Sequence, residues 1–292
     1  MNWLLYAISG ALLMGASPVL AKSGMHKSSS HLAAALRGTC LFLSACVMAG
    51  LTGQGIVLSD LGQTSFLYLV FSGIATGIVW ICLLRALQLG EVIKVVPVVE
   101  ASAALNILSG IFLFNESRTW NKIIILVLLI AGTVMMGLKG KGRGGKSGAW
   151  LGYAIGAMLF TSVTVVLERI GYAGMQTYSE RPIRYGVACV VVWLATFATK
   201  GQKGLRSLSF LNGLYLCLSG IVMGGAWYCF SLAFETGSSS IVELVERFDL
   251  VAAVFLGCVF MRERTTVRSI FGMIFMMLGF GLLLADLPVI PF

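Results

Sequence analysis

Long apolar runs alternate along the chain with short breaks that are rich in glycine, serine and charged residues. A helix that crosses a bilayer needs about 20 mostly apolar residues, so the breaks divide the chain into candidate spans. Ten such spans lie near residues 2–21, 31–51, 64–88, 91–115, 121–138, 149–169, 182–200, 209–234, 239–261 and 267–286. The pattern predicts an all-α polytopic membrane protein with ten transmembrane helices.

The first span resembles the apolar part of a secretory signal peptide. Ala16 to Ala21 has small residues at the positions that a signal peptidase prefers. However, Met1-Asn2-Trp3 has no Lys or Arg, which the start of a signal peptide needs. We therefore expect residues 2–21 to be retained as the first helix.

The two halves of the chain are similar when they are compared at a shift of 147 residues. Identical residues then coincide without a gap, among them Ser72/Ser219, Gly73/Gly220, Trp80/Trp227, Cys82/Cys229 and Glu116/Glu263. We interpret 1–138 and 149–292 as two five-helix repeats, joined by a basic, glycine-rich linker at 139–148. Because five is odd, the second repeat must enter the membrane inverted, as is typical of secondary transporters.

Composition excludes a water-soluble fold. Hydrophobic residues make up 58% of the chain, charged residues 11%, and the mean hydropathy is +0.92. Soluble domains carry about 25% charged residues. The excess of 21 Lys and Arg over 12 Asp and Glu lies mostly in short loops, as the positive-inside rule requires, so no nucleic-acid partner is expected.

All seven cysteines fall in apolar runs without a CxxC pair, which favours buried thiols over a disulfide or metal site. No cofactor is expected.

Charged residues inside two of the spans are the strongest functional signal. An ionisable side chain at a helix centre costs about 2.5–3.5 kcal/mol, so it faces the bundle interior or a wet cavity. At 100° per residue, the four charges of the ninth span share less than half of its circumference. The polar residues of the fourth and ninth spans are Glu100, Asn106, Glu243, Glu246, Arg247 and Asp249.

Glu100 and Arg247 occupy equivalent positions in the two repeats. Inverted symmetry would place them at similar depth in one central cavity, where they could form an ion pair. The surplus of carboxylates predicts a cationic or zwitterionic solute, or proton coupling through a carboxylate. Trp80, Trp227 and Tyr228 are candidate aromatic walls for a cation–π contact, although packing or interfacial anchoring would explain the tryptophans equally well.

The ends of the repeats resemble the drug/metabolite transporter superfamily, in its EamA-like branch. Each half contains an apolar run, a Glu, a short basic turn and a Gly-bearing final helix, at Phe114-Asn115-Glu116 and at Met261-Arg262-Glu263-Arg264. One departure is that Pro97 of the first half is matched by Leu244 in the second, which weakens any hinge based on paired prolines. The resemblance implies ten helices, no ATP hydrolysis, and solute exchange or proton-coupled transport.

These observations predict a secondary transporter for a small polar metabolite, such as an amine or amino acid. It would lie in a prokaryotic plasma membrane, contact lipid, use protons as an optional partner, and need only one chain. A flippase for a lipid-linked sugar or headgroup is the alternative, favoured by the basic linker 139–148. An intramembrane enzyme has little support, because no catalytic dyad or metal motif occurs in the sequence.

Overall fold

A computed structural model describes residues 2–25, 28–51, 63–116, 119–137, 148–171, 177–237 and 239–286. These residues form α-helices, one short 3₁₀ helix at Gly201–Ser207 and their connections, with no strand among them. The helices are α1 (Asn2–Gly24), α2 (Ser30–Leu51), α3 (Gln63–Leu89), α4 (Val92–Glu100), α5 (Ser102–Leu113), α6 (Trp120–Gly137), α7 (Ala149–Gly171), α8 (Thr177–Ala198), α9 (Phe210–Thr236), α10 (Ser239–Glu246), α11 (Asp249–Met261) and α12 (Val267–Asp286). The predicted all-α class is confirmed for this part of the chain, whereas the linker 139–148 lies almost wholly outside it.

Eight segments of the described chain are long and apolar enough to cross a membrane. They are Trp3–Gly24, Ser30–Leu51, Thr64–Leu89, Val92–Leu113, Trp120–Gly137, Ala149–Gly171, Arg181–Ala198 and Phe210–Glu235. Helix α12 adds a shorter apolar stretch, Val267–Leu283. The pair α10–α11 is not among the eight, and it carries four charged side chains within seven residues, from Glu243 to Asp249. Many large apolar side chains are exposed, such as Trp120 and Phe210, as expected of a surface that faces lipid.

The fourth and ninth predicted spans are each broken into two helices. The breaks fall at Ala101 and at Phe248, which have nearly identical backbone angles (φ −63°, ψ −7° and φ −69°, ψ −8°). At each break a residue bonds to the carbonyl three positions earlier, as in a 3₁₀ turn: Ala104 N–H to Ala101, and Phe248 N–H to Val245. The hydrophobic pattern did not predict the breaks, because apolar residues continue on both sides of them.

The helices of the two halves begin and end in one register. Adding 147 to the bounds of α1, α2 and α3 gives those of α7, α8 and α9, and the later helices agree to within two residues at each end. Packing follows the same relation: α1 packs against α9 and α3 against α7, while α2 packs against α9 and α3 against α8. Helices α6 and α12, which correspond to each other, also form a pair. The described chain therefore consists of two halves with the same succession of helices, and helices of one half pack between helices of the other.

The bundle has two ends, which we define by α1. At the A end, where α1 begins, a Cβ on Gly237 after α9 would lie 3.0 Å from Trp3. At the B end, where α1 ends, Lys22 bonds to the carbonyl of Gly90, which follows α3. Helix α4 therefore begins at the B end and α10 at the A end. The buried core between the ends includes Leu84, Leu129 and Phe280.

Helix α1 crosses α11 at Gly15. A Cβ there would lie 2.6 Å from both the Ala252 Cβ and the Asp249 carbonyl oxygen. Small residues allow this close approach, on which helix association in membranes relies. The crossing fixes α11, and with it the charged residues beside the break at Phe248, against the first helix.

We expect Gly15→Leu to destabilise the protein by about 1–3 kcal/mol, because the larger side chain must push α1 and α11 apart. Gly152→Leu is the matched control, since a Cβ at Gly152 meets no atom within 4 Å. Unfolding in detergent, followed by circular dichroism, measures both variants. Equal stability of the two variants would contradict the tight crossing.

Candidate functional site

The two helix breaks bring Glu100 and Arg247 together. Arg247 Nη1 lies 3.3 Å from Glu100 Oε2, so the predicted ion pair is present in the structure. The side chains are only partly exposed, 23% for Glu100 and 39% for Arg247. The guanidinium also lies 5.3 Å from the ring centre of Phe280 on α12. The pair thus joins the last residue of α4 to the turn between α10 and α11.

Three more carboxylates interact electrostatically with this pair. The charges of Glu246, Glu100, Asp249 and Glu243 all act on Arg247, and the Glu100 carboxylate is the one at 3.3 Å. Asp249 begins α11, and its buried Oδ1 has no hydrogen-bond partner among the described residues. Four acids against one arginine leave a surplus of negative charge. The described residues contain no group of three or more His, Cys, Asp or Glu that could hold a metal ion.

A cavity lies between α2, α8 and α9, nearer the A end. It is small: the centre of a water molecule can move within about 30 Å³ of it. Trp227 and Tyr228 line it, as do Leu41, Ala45, Met48, Ala49, Arg181, Tyr185, Gly224 and Ser231. The indole N–H of Trp227 is buried and has no hydrogen-bond partner among the described residues. The cavity therefore combines aromatic walls with a few polar groups.

Arg181 connects the cavity with the acidic cluster. Its guanidinium carbon lies 4.3 Å from the ring centre of Trp227, and its charge acts on the Glu246 carboxylate. The hydrophobic pattern does not single out Arg181, because it stands one residue before the predicted start of the seventh span, where a loop charge is expected. In the structure α8 begins earlier, at Thr177, and carries Arg181 into the site.

A second arginine that the sequence reasoning missed is Arg37 on α2. It is 4% exposed and donates from Nη2 to Ser17 Oγ (3.0 Å) and to Met223 Sδ (2.9 Å). Its buried Nε has no partner among the described residues. Arg37 lies one helical turn from Leu41, which lines the cavity. Its positive charge is therefore on the B-end side of the cavity.

Trp227 and Tyr228 are the predicted site residues that line the cavity, whereas Trp80 and Asn106 have other partners. Trp80 is 5% exposed and packs on Tyr185, with ring centres 5.7 Å apart. Asn106 on α5 accepts a hydrogen bond of 2.7 Å from Ser162 on α7. Neither residue lines the cavity, although Trp80 packs on Tyr185, which does. A substrate contact for them remains a prediction.

Glu100→Gln and Arg247→Gln should interact by about 0.5–1 kcal/mol in a double-mutant cycle, because each removes one partner of the pair. The value is modest because polar contacts between membrane helices contribute about that much in measured double-mutant cycles. The free energy of unfolding is measured in mild detergent for the unmodified protein, the two single variants and the double variant. Glu91→Gln combined with Arg247→Gln is the control and should be additive, because Glu91 pairs with Lys94 at the B end. A coupling near zero for Glu100 and Arg247 would contradict the pair.

Comparison with known proteins gives the family. A family model described as "EamA-like transporter family" matches residues 1–138 and again 148–285. A Sinorhizobium protein named "Uncharacterized transporter in cobO 3'region" is 25% identical over 135 residues, 46% of this chain and 96% of its own length. A solved structure described as "Crystal structure of protein" has a chain that is 18% identical to this one. Its TM-score is 0.62 over 97% of both chains, which supports the fold alone. With two matches that together cover most of its length, the chain belongs to the EamA-like transporter family and is a multi-pass membrane transporter.

Proposed function

We propose that this chain is a secondary transporter that moves a small cationic or zwitterionic metabolite, such as an amine or amino acid, by alternating access. The observation that carries the proposal is the acidic cluster around Arg247 at two repeat-related helix breaks. Broken helices near the membrane midplane form the solute site in many transporters of this kind. The cluster is charged, partly accessible, and joined to an aromatic cavity through Arg181.

Ten membrane spans in two inverted repeats fit this proposal. Helices α4 and α5 together form one span, and α10 and α11 form its counterpart in the second half. The second of these pairs and α12 are the two spans beyond the eight that pass on length and hydropathy. The charged residues of α10 and α11 lower the hydropathy of this pair of helices. They face the bundle interior, where Arg247 contacts Glu100. The shared register of the helices supports the boundaries 1–138 and 149–292 for the repeats.

The charges favour a solute with an amino group. Glu100, Glu243, Glu246 and Asp249 outnumber the two guanidiniums near them, Arg247 and Arg181, so a bound cation would relieve the excess. A carboxylate on the same solute would find Arg181 beside the aromatic wall at Trp227. Proton exchange at one of the carboxylates would couple transport to the proton gradient.

The prokaryotic plasma membrane is the proposed location, with the basic loops facing the cytoplasm. One chain contains both halves of the pathway, so a monomer is sufficient for transport. The flippase alternative would require the cavity between α2, α8 and α9 to accept a lipid-linked headgroup.

We expect a cationic or zwitterionic solute to raise the melting temperature of the purified protein. A ligand at 100 times its dissociation constant adds about 2.7 kcal/mol of stability. Differential scanning fluorimetry against amines, amino acids, nucleotides and lipid-linked sugars identifies the solute. Glu246→Gln should abolish the shift, because it removes a carboxylate of the cluster.

Glu235→Gln is the matched control, since Glu235 is an exposed carboxylate near the end of α9. It should keep the shift caused by the solute. Stabilisation by lipid-linked compounds alone would favour the flippase. If both variants lose the solute-induced rise in melting temperature equally, the acidic cluster is not the solute site.

A further inference from the structure

Two glutamates occupy equivalent positions after the broken spans, Glu116 after α5 and Glu263 after α11. The residue before each, Asn115 or Arg262, has a left-handed backbone (φ 54° and 53°). Each glutamate then donates its N–H to a glycine carbonyl six residues earlier, at Gly110 (3.1 Å) or Gly257 (3.3 Å). A left-handed backbone is uncommon for arginine, so its presence at Arg262 indicates that the turn requires it. The same turn therefore holds a carboxylate at each end of the bundle.

At the B end, Glu263 fastens three helices together. Its Oε1 accepts hydrogen bonds from Lys22 at the end of α1 (2.7 Å) and from the Val92 N–H (3.0 Å). Its Oε2 accepts one from the Ile93 N–H (3.1 Å). The carboxylate thus caps the first turn of α4, where free N–H groups and the helix dipole favour a negative charge. The Glu263 side chain is only 6% exposed, so this contact is buried.

At the A end, Glu116 has other partners and is more exposed. Its partners are Lys122 at the start of α6 (2.8 Å) and Arg169 near the end of α7. Arg169 is the repeat equivalent of Lys22, so the two ion pairs join corresponding residues of opposite halves. The Glu116 side chain is 30% exposed and Arg169 is 49% exposed. The hydrogen bond from Lys122, supported by Arg169, lowers the pKa of Glu116, and its carboxylate stays ionised at neutral pH.

Helix packing differs between the ends in the same sense. Helix α11 packs against α4 at the B end. Their equivalents, α5 and α10, do not form a packed pair within the part of the chain that the structure describes. The cavity lined by Trp227 and Tyr228 also lies nearer the A end. The structure is therefore closed at the B end and parted between α5 and α10 at the A end.

From this asymmetry we propose that Glu116 and Glu263 are alternating latches of the transport pathway. In the present state Glu263 caps α4 and closes the B end. In the opposite state Glu116 caps the first turn of α10, through the backbone N–H groups of Ser239 and Ser240, which correspond to Val92 and Ile93. Lys22 and Glu263 then separate, and the B end opens.

The exchange follows from the way the repeats are joined. Helices α4 and α5 meet at the break at Ala101, and α10 and α11 meet at Phe248, with Glu100 and Arg247 between the two breaks. Rocking about this central pair brings α5 towards α10 when α4 leaves α11. This inference rests on the proposed transport function, since it describes how the same site is exposed to each side.

Pulsed electron–electron resonance between spin labels tests the latch without any substrate. One labelled pair is Leu113→Cys with Ile241→Cys at the A end, and its repeat-related match is Phe260→Cys with Lys94→Cys at the B end. Both are placed in a background in which the seven natural cysteines are replaced. When Glu116 and Glu263 are both intact, the distance between the A-end labels should be long and the distance between the B-end labels short.

Glu263→Gln should change the ratio of the two states by at least about fivefold, since it weakens charge-assisted hydrogen bonds of one state only. The A-end distance then shortens as the B-end distance lengthens. Glu116→Gln is the matched control and should not populate that state. The same shift in both variants, or no shift with Glu263→Gln, would overturn the proposal.

Lys22→Gln provides a second variant if Glu263→Gln does not fold. It leaves the cap on α4 in place and should shift the distances in the same direction to a smaller extent. Unchanged distances in this folded variant would also count against the latch. Because no solute is present, these outcomes are separate from the binding screen that tests the proposed function.

Discussion

The cost of charge inside a membrane governs the organisation of this protein. An ionisable side chain at a helix centre costs about 2.5–3.5 kcal/mol, yet α4, α10 and α11 together carry four acids and an arginine near the middle of the bundle. The ion pair between Glu100 and Arg247 offsets part of this cost and holds the two helix breaks together. The remaining acids are compensated only partly, by the charge of Arg181 on Glu246. An incompletely neutralised cluster is what a cationic solute or a proton can bind.

The repeat structure explains why this pair lies where it does. Glu100 and Arg247 are separated by 147 residues, the same shift that superposes the helix bounds and the left-handed residues Asn115 and Arg262. The two halves share a backbone plan but differ in side chains, so one supplies a carboxylate where the other supplies a guanidinium. The same plan gives two equivalent end contacts, of which the Glu263 contact is buried and the Glu116 contact is more exposed. Small differences between similar halves can thus separate two conformational states.

Hydrophobic periodicity predicted the class and the internal repeat predicted the ion pair, while the family followed from the resemblance at the ends of the two repeats. The sequence did not predict the breaks at Ala101 and Phe248, since apolar residues run through both and only the hydrogen bonding changes. Arg181 was missed because its position at the edge of a span is also that of a loop charge. Trp80 was selected for its repeat partner Trp227, but burial against Tyr185 shows that equivalent residues can face different surroundings. Contacts between distant helices decide such cases, and no local pattern encodes them.

Solute counterflow in reconstituted vesicles tests the central claim most directly. Vesicles are loaded with an amine or amino acid that stabilises the protein, and entry of the same compound in labelled form is followed. The account predicts saturable counterflow by the unmodified protein and its loss when Glu100 and Arg247 are both replaced by Gln. Failure of the unmodified protein to exchange any soluble compound, with movement of a lipid-linked headgroup instead, would contradict it.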